Sequence, residues 1–292
     1  MKKLFAVLPV LALMLSVLVL SACDEYYYLP EVENGYDTVE DLSDAYESEE
    51  EVPIIEEPVF AQLSGSPIVP YGEPVFVPIL MYHTSSEANP NSPLPELYVR
   101  PSEFERQLIW LNENNFTFIT FDDWDNLHYI YNPIMLTFDD GYPANYTEIF
   151  PLLQQHNARI TLFLTPGLMA AHGLTEEMVR AMSDSGLVKF EAHSMTHPDF
   201  VNISSNIVRL GSELREPIQF IEELTGLEVL ALAYPAGRHN ATVREWTARY
   251  YRFGVVHYGG MHNTSIDNFQ IRRIRINRST SLDTFIRLVT TR

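Results

Sequence analysis

From Pro67 onward, short runs of consecutive apolar residues alternate with segments whose apolar positions recur every three or four residues. Apolar runs of about five residues suit strands covered on both faces, and the longer periodic segments suit helices with one apolar stripe. The pattern predicts strands over residues 75–81, 116–120, 134–138, 160–164, 188–192, 229–233, 253–257 and 271–276. Between them it predicts helices. The first follows Ser102-Glu103-Phe104-Glu105, which fits a capping box, with Phe104, Leu108 and Leu111 at helical spacing. Others cover 146–155 (interrupted at Pro151), Thr175 through Met182, 204–224, 241–250 and a terminal stretch from Ser281. Strand–helix alternation of this kind implies an α/β fold with a parallel sheet and helical crossovers. Six to eight such units predict a distorted or incomplete (β/α) barrel, with a doubly wound open sheet as the competing architecture. A barrel predicts that chemistry collects on the loops after the strands.

The first 65 residues follow a different pattern. Lys2 and Lys3 precede an apolar stretch over 4–20, and Leu20-Ser21-Ala22-Cys23 follows. This is the layout of a secretory leader, and Cys23, the only cysteine of the chain, stands where the bacterial lipobox has its lipidated residue. The expectation is a leader over 1–23, a lipid anchor on Cys23, and a location on the outer face of a bacterial membrane. A lone cysteine also rules out an intramolecular disulfide. Residues 24–58 hold fourteen Asp/Glu and no Lys/Arg. Such a segment repels itself and cannot bury enough apolar surface to fold, so 24–65 is expected to be a disordered acidic tether and 66–292 the folded domain. The net charge of −20 argues against a nucleic-acid partner, which needs a basic footprint.

Three clusters fall directly after apolar runs: Thr137-Phe138-Asp139-Asp140-Gly141, His193-Ser194-Met195-Thr196-His197 and Tyr234-Pro235-Ala236-Gly237. If the strands are parallel, all three meet at one end of the sheet. An Asp-Asp-Gly turn alone is weak, because Asp and Gly are ordinary turn formers. Two histidines four apart are more telling, whether they share a helical face or converge in a tight loop. Two His and one carboxylate make a three-ligand metal site with open positions.

These ordered motifs resemble those of the polysaccharide deacetylase family (the NodB-homology domain, carbohydrate esterase family four) over about residues 75–290. Pro78-Ile79-Leu80-Met81-Tyr82-His83 and the ending around Arg273-Ile274-Arg275-Ile276 resemble the branch with poly-N-acetylglucosamine deacetylases. The resemblance implies a distorted (β/α) barrel, Asp139 as catalytic base, and Asp140, His193 and His197 as metal ligands. It implies an oxyanion contact from the Ala236 backbone N–H. The family's base-orienting arginine would stand at Ala233, so that role passes to another residue, with Arg273 and Arg275 as candidates. The late motifs Asp-x-x-Asp-Trp and Leu-x-His are missing. In a closed barrel the first and last strands are neighbours, so His83 is the expected general acid, with His257 as its rival. Tyr142, Tyr234 and Pro235 are expected to touch substrate, and Trp124 is a further candidate for stacking on sugar.

The resulting expectation is a metal-dependent hydrolase that removes N-acetyl groups from a cell-surface amino-sugar polymer, either exopolysaccharide poly-N-acetylglucosamine or peptidoglycan. Zn2+ is the default metal, and the ligand set also admits Co2+, Ni2+ or Mn2+. An O-acetyl esterase of the xylan type and a non-catalytic glycan-binding lipoprotein are the alternatives.

Overall fold

The computed structural model describes residues 67–88 and 91–291. The predicted leader, Cys23 and the whole of the tether lie outside the described residues. The fold is a closed ring of seven parallel strands: β1 (Ile79–Tyr82), β2 (Pro133–Asp140), β3 (Ile160–Leu164), β4 (Val188–Ala192), β5 (Ala231–Ala233), β6 (Phe253–Gly259) and β7 (Ile271–Arg275). They stand around the ring in chain order, and β1 pairs with both β2 and β7. The doubly wound alternative is therefore wrong: β1 closes the ring instead of leaving two edges.

Alternation along each strand sorts the core into two layers. Leu80, Tyr82, Leu136, Phe138, Leu162, Leu164, Phe190 and Ile274 face outward and pack beneath the helices. These helices are α1 (Pro101–Glu113), α2 (Phe150–His156), α3 (Glu176–Asp184), α4 (Ile207–Thr225), α5 (Ala241–Thr247) and α6 (Leu282–Thr290), with shorter turns between them. Each large apolar side chain buried here contributes roughly 1.5–3 kcal/mol. Ile79, Met135, Phe163, Ala231, Ala233, Val255 and Ile271 face inward and fill the barrel. Phe121, Leu127 and Trp124 plug its amino end, where Trp124 packs 5.1 Å from Phe253, the first residue of β6. Trp124 thus belongs to the core at the end opposite the motif loops and has no role in stacking on sugar.

Several boundaries differ from the sequence pattern for local reasons. The strand expected over 75–81 breaks at Pro78, which has no N–H to donate; Phe76–Val77 instead pairs antiparallel with His262–Asn263. The expected capping box at Ser102 does not form: α1 begins at Pro101, and Ser102 bonds to Glu87. A capping box does form at Thr120 and Asp123. Pro151 does not interrupt a helix. A π-helical turn, Asn145–Ile149, precedes α2 and leaves Pro151 in the first turn, where no intrahelical donor is needed. Among the described residues no helix is long and apolar enough to cross a membrane.

Candidate active site

All three motif clusters lie at the carboxyl end of the ring, as a parallel barrel requires. Seven non-glycine residues among those described have positive φ. Three are asparagines, which tolerate that region. The other four are Asp140, Ser194, His197 and Ala236, every one of them in a motif loop. Backbone strain of about 1–3 kcal/mol per residue collects where side chains must be aimed against local preference.

Asp139 faces the barrel interior by strand alternation. Asp140, with φ of 75°, would point outward in a regular strand, and its left-handed backbone turns it toward the rim. Gly141 follows with φ of 88°, and a Cβ there would meet Leu164 Cδ1 at 2.5 Å. The Asp140 Oδ1 lies 3.6 Å from His193 Nε2 and 3.6 Å from His197 Nε2. The histidines converge through a tight loop, not a helical face. Ser194 Oγ accepts the His197 N–H at 2.9 Å. Glu213 of α4 accepts the Met195 and Thr196 N–H groups at 3.0 and 2.9 Å and the Thr196 hydroxyl at 2.5 Å.

This triad fits a divalent cation. Tetrahedral ligands about 2.0–2.1 Å from an ion stand roughly 3.3 Å apart, close to the spacing observed. The His193 Nδ1 lies 2.7 Å from the Ala233 carbonyl; as the donor it leaves Nε2 unprotonated and facing Asp140. Burial, only partly opposed by Asp139, pulls His193 down to about 4, so its imidazole is neutral at ordinary pH, as a ligand must be. Of the groups of three or more His, Cys, Asp or Glu among the described residues, this one alone has ligand atoms close enough to share an ion.

Asp139 stands outside the triad. Arg273 of β7 grips it with two bonds, Nη1 to Oδ1 at 2.6 Å and Nη2 to Oδ2 at 2.7 Å. Nη1 also reaches Thr137 Oγ1 at 3.0 Å, and Nε donates to the Val256 carbonyl at 3.0 Å. Burial alone would push Asp139 up, but the Arg273 guanidinium, helped by His193 and His83, holds its carboxyl well below the usual range. Of the two candidates to replace the arginine expected at Ala233, Arg273 makes the contact; Arg275 Nε bonds to Asn277 instead.

His83 follows Tyr82, which pairs with Phe138, so it stands beside Asp139 on the neighbouring strand. Asn145 donates to its carbonyl at 2.9 Å. Burial lowers the His83 pKa, opposed by both Asp139 and Asp140. His257 is carried by β6, with β7 between it and β1, and lies against Gly237, where a Cβ would meet its Nδ1 at 1.7 Å. Burial, Arg273 and Arg275 all lower His257, and Asp139 is the carboxylate that opposes them. Ala236, between Pro235 and Gly237, has φ of 51°. The Gly237 and Arg238 amides bond back to Tyr234 and Pro235, while among the described residues the Ala236 N–H has no acceptor.

Two expected substrate contacts are corrected. Tyr234 is 0 % exposed, stacks on His239 at 4.8 Å and donates its hydroxyl to the Phe269 carbonyl at 3.2 Å. Pro235 is buried as well. Neither presents a face to a sugar. Tyr142, following Gly141 at the rim, is half-buried.

Residues 130–252 match the family model for polysaccharide deacetylase. That stretch therefore reads as a polysaccharide deacetylase domain. The Bacillus subtilis protein YxkH, provisionally named a polysaccharide deacetylase, is 26% identical over 220 residues, covering 73% of this chain and 76% of its own. Among solved structures, the polysaccharide deacetylase BC0361 from Bacillus cereus is 27% identical with a TM-score of 0.69, over 74% of this chain and 70% of its own. The Streptococcus pyogenes deacetylase PplD, solved in complex with acetate, is 26% identical with a TM-score of 0.68, over 74% of this chain and 99% of its own.

The candidate site also uses Glu213, which the sequence pattern did not single out. The signal was present: Glu213 interrupts the buried stripe Leu210, Leu214, Pro217, Ile221 and Leu224 of α4. An acid on an apolar stripe needs a buried donor set, here the loop that carries the two histidines.

Proposed function

We propose that the protein removes N-acetyl groups from an amino-sugar polymer outside the cell, with Asp140, His193 and His197 holding a divalent cation, Zn2+ by default. The observation that carries this reading is a carboxylate kept ionised by Arg273 immediately beside a separate three-ligand cluster. A cation held there would polarise the acetyl carbonyl and make nearby water easier to deprotonate. Asp139 takes a proton from water as the oxygen attacks the carbonyl carbon. The Ala236 N–H is placed to receive the developing negative charge on the carbonyl oxygen. As the C–N bond breaks, His83 gives its proton to the departing nitrogen, and the products are acetate and a free amine. His83 is preferred over His257 because both site carboxylates support its charged form, whereas Asp139 alone is the carboxylate that does so for His257.

The polymer is poly-N-acetylglucosamine or peptidoglycan, and a lipid on Cys23 would hold the enzyme against the membrane beside it. The test is acetate release from a chitin oligomer by the purified protein, with and without a chelator. The reading expects release that the chelator abolishes and added Zn2+ restores. Acetate from acetylated xylan but not from chitin would replace the amide with an ester, and no acetate from either would leave a glycan-binding protein.

A further inference from the structure

The mouth of the barrel holds a cation that the hydrolytic step does not use. Arg275 lies two residues beyond Arg273 on β7, so alternation places it on the same inner face, nearer the mouth. It stands opposite Met81 of β1, two residues short of His83. The two arginines differ in one respect. Arg273 is neutralised by the Asp139 carboxylate and is 1 % exposed. Arg275 is half-buried. Its hydrogen bond runs from Nε to the neutral Asn277 Oδ1 at 2.9 Å, and among the described residues no carboxylate forms an ion pair with it. Its charge also disfavours protonation of both His83 and His257, as expected of a guanidinium that shares the mouth with them.

The carboxylate that feels its charge is Glu96, which is bonded to Ser279 rather than to Arg275. A guanidinium with no direct carboxylate bond is suited to a planar anion, because two parallel N–H groups match the two oxygens. The local balance favours the same ligand. Asp139 is matched by Arg273, and a divalent cation on Asp140 would leave an excess of one positive charge, with Arg275 beside it and shared only at longer range with Glu96. With the cation bound the rim would be positive although residues 59–292 carry 25 acids against 17 bases. A neutral polymer would not use that charge, and the free amines left by deacetylation would be repelled by it.

Resting on the deacetylase reading of this site, we propose that Arg275 binds a carboxylate on a sugar next to the one being deacetylated, so that the substrate is an acidic amino-sugar polymer. Of the two polymers named above, peptidoglycan carries carboxylates and poly-N-acetylglucosamine does not. The carboxylate could belong to a sugar ring or to a lactyl ether, and separate probes distinguish these.

The experiment compares three probes on the Zn2+-loaded full chain: neutral N-acetylchitotetraose, a tetrasaccharide alternating N-acetylglucosamine with glucuronate, and an N-acetylglucosaminyl–N-acetylmuramic acid repeat. Dissociation constants come from calorimetry and kcat/KM from acetate release. At least one acidic probe should bind about tenfold more tightly than the neutral one, and that advantage should fade with added salt. Arg275→Gln should erase the acidic-over-neutral ratio, and Arg275→Lys should keep part of it, which also covers a failure of the glutamine variant to fold. Equal or tighter binding of the neutral probe, or an acidic advantage untouched by Arg275→Gln, overturns the proposal. An acidic preference in binding without acetate release from any probe would overturn the deacetylase reading and leave the carboxylate site standing.

Discussion

Arg273 and Asp139 form a buried, two-bonded ion pair between strands that are not adjacent. Removing one partner of such a pair leaves an uncompensated charge in the interior, a loss of about 3–5 kcal/mol. Arg273→Ala should therefore lower stability, and it should also change the pH profile. The guanidinium depresses the Asp139 pKa; without it, burial raises that pKa, so the base becomes protonated at a higher pH. The acid limb of kcat should move upward, and turnover should fall at least about a hundredfold, the scale of a lost general base. Arg273→Lys should keep part of both. Rates measured from pH 4 to 9 decide this, and an unmoved acid limb in the alanine variant would separate Arg273 from catalysis. The sequence narrowed this residue to two. Alternation in Arg273-Ile274-Arg275 put both arginines on the inner face, but only the closure of the ring shows which of them meets Asp139.

At the scale of elements, β4 carries charge where a barrel strand is expected to be apolar. Lys189 and Glu191 face inward below His193, and Lys189 reaches Asp122 at 2.9 Å. Strands β4 and β5 share one paired position, Ala192 with Leu232. Below it the Glu191 carboxylate replaces the ladder, accepting the Leu230 and Ala231 amides at 2.7 and 2.8 Å, while its Oε1 has no partner. Burial, against those two bonds and Lys189, pushes Glu191 up to about 8 from 4.5. Between those values the folded protein keeps a proton that the unfolded chain releases. The stabilising contribution is thus complete below the lower value and is lost as pH rises toward the upper. Glu191→Gln cannot ionise, so it should gain on the wild type over that window, by an amount on the order of a few kcal/mol at pH 8. Urea unfolding at pH 4.5 and 8 measures it, and a difference between the two proteins that does not change with pH would contradict it. The ring itself was legible because most of its strands are short apolar runs covered on both faces, and β4 and β7, which carry charges, still keep apolar residues between those charges. Ends and caps were not. The side chains of Ser102 and Thr120 both suit helix starts, and contact with Glu87 in one case and Asp123 in the other decides which one caps. Tyr234 misled for a similar reason: an aromatic beside a motif can face substrate or core, and only its neighbours, His239 and Phe269, settle which.

At the scale of the molecule, the barrel brings to one rim three motifs spread over about a hundred residues, and this much followed from strands that are parallel. The acidic tether and Cys23 are sequence expectations that bear on where the enzyme works. Cys23→Ser should move the protein from the membrane fraction to the soluble one, since a lipidated cysteine is the proposed anchor; retention in the membrane would point to an uncleaved apolar leader instead. The central claim concerns the division of labour between two adjacent carboxylates, Asp139 as base and Asp140 as ligand. Its most direct test is the metal content and acetate release of Asp139→Asn and Asp140→Asn, both assayed at saturating Zn2+. Asp139→Asn should keep about one metal per chain and lose at least about a hundredfold in turnover. Asp140→Asn should bind metal weakly and regain part of its activity as Zn2+ is added, because an amide oxygen is a poorer ligand than a carboxylate. Loss of metal from Asp139→Asn with retention in Asp140→Asn would exchange the two roles, and full activity with full metal in both would contradict the site altogether.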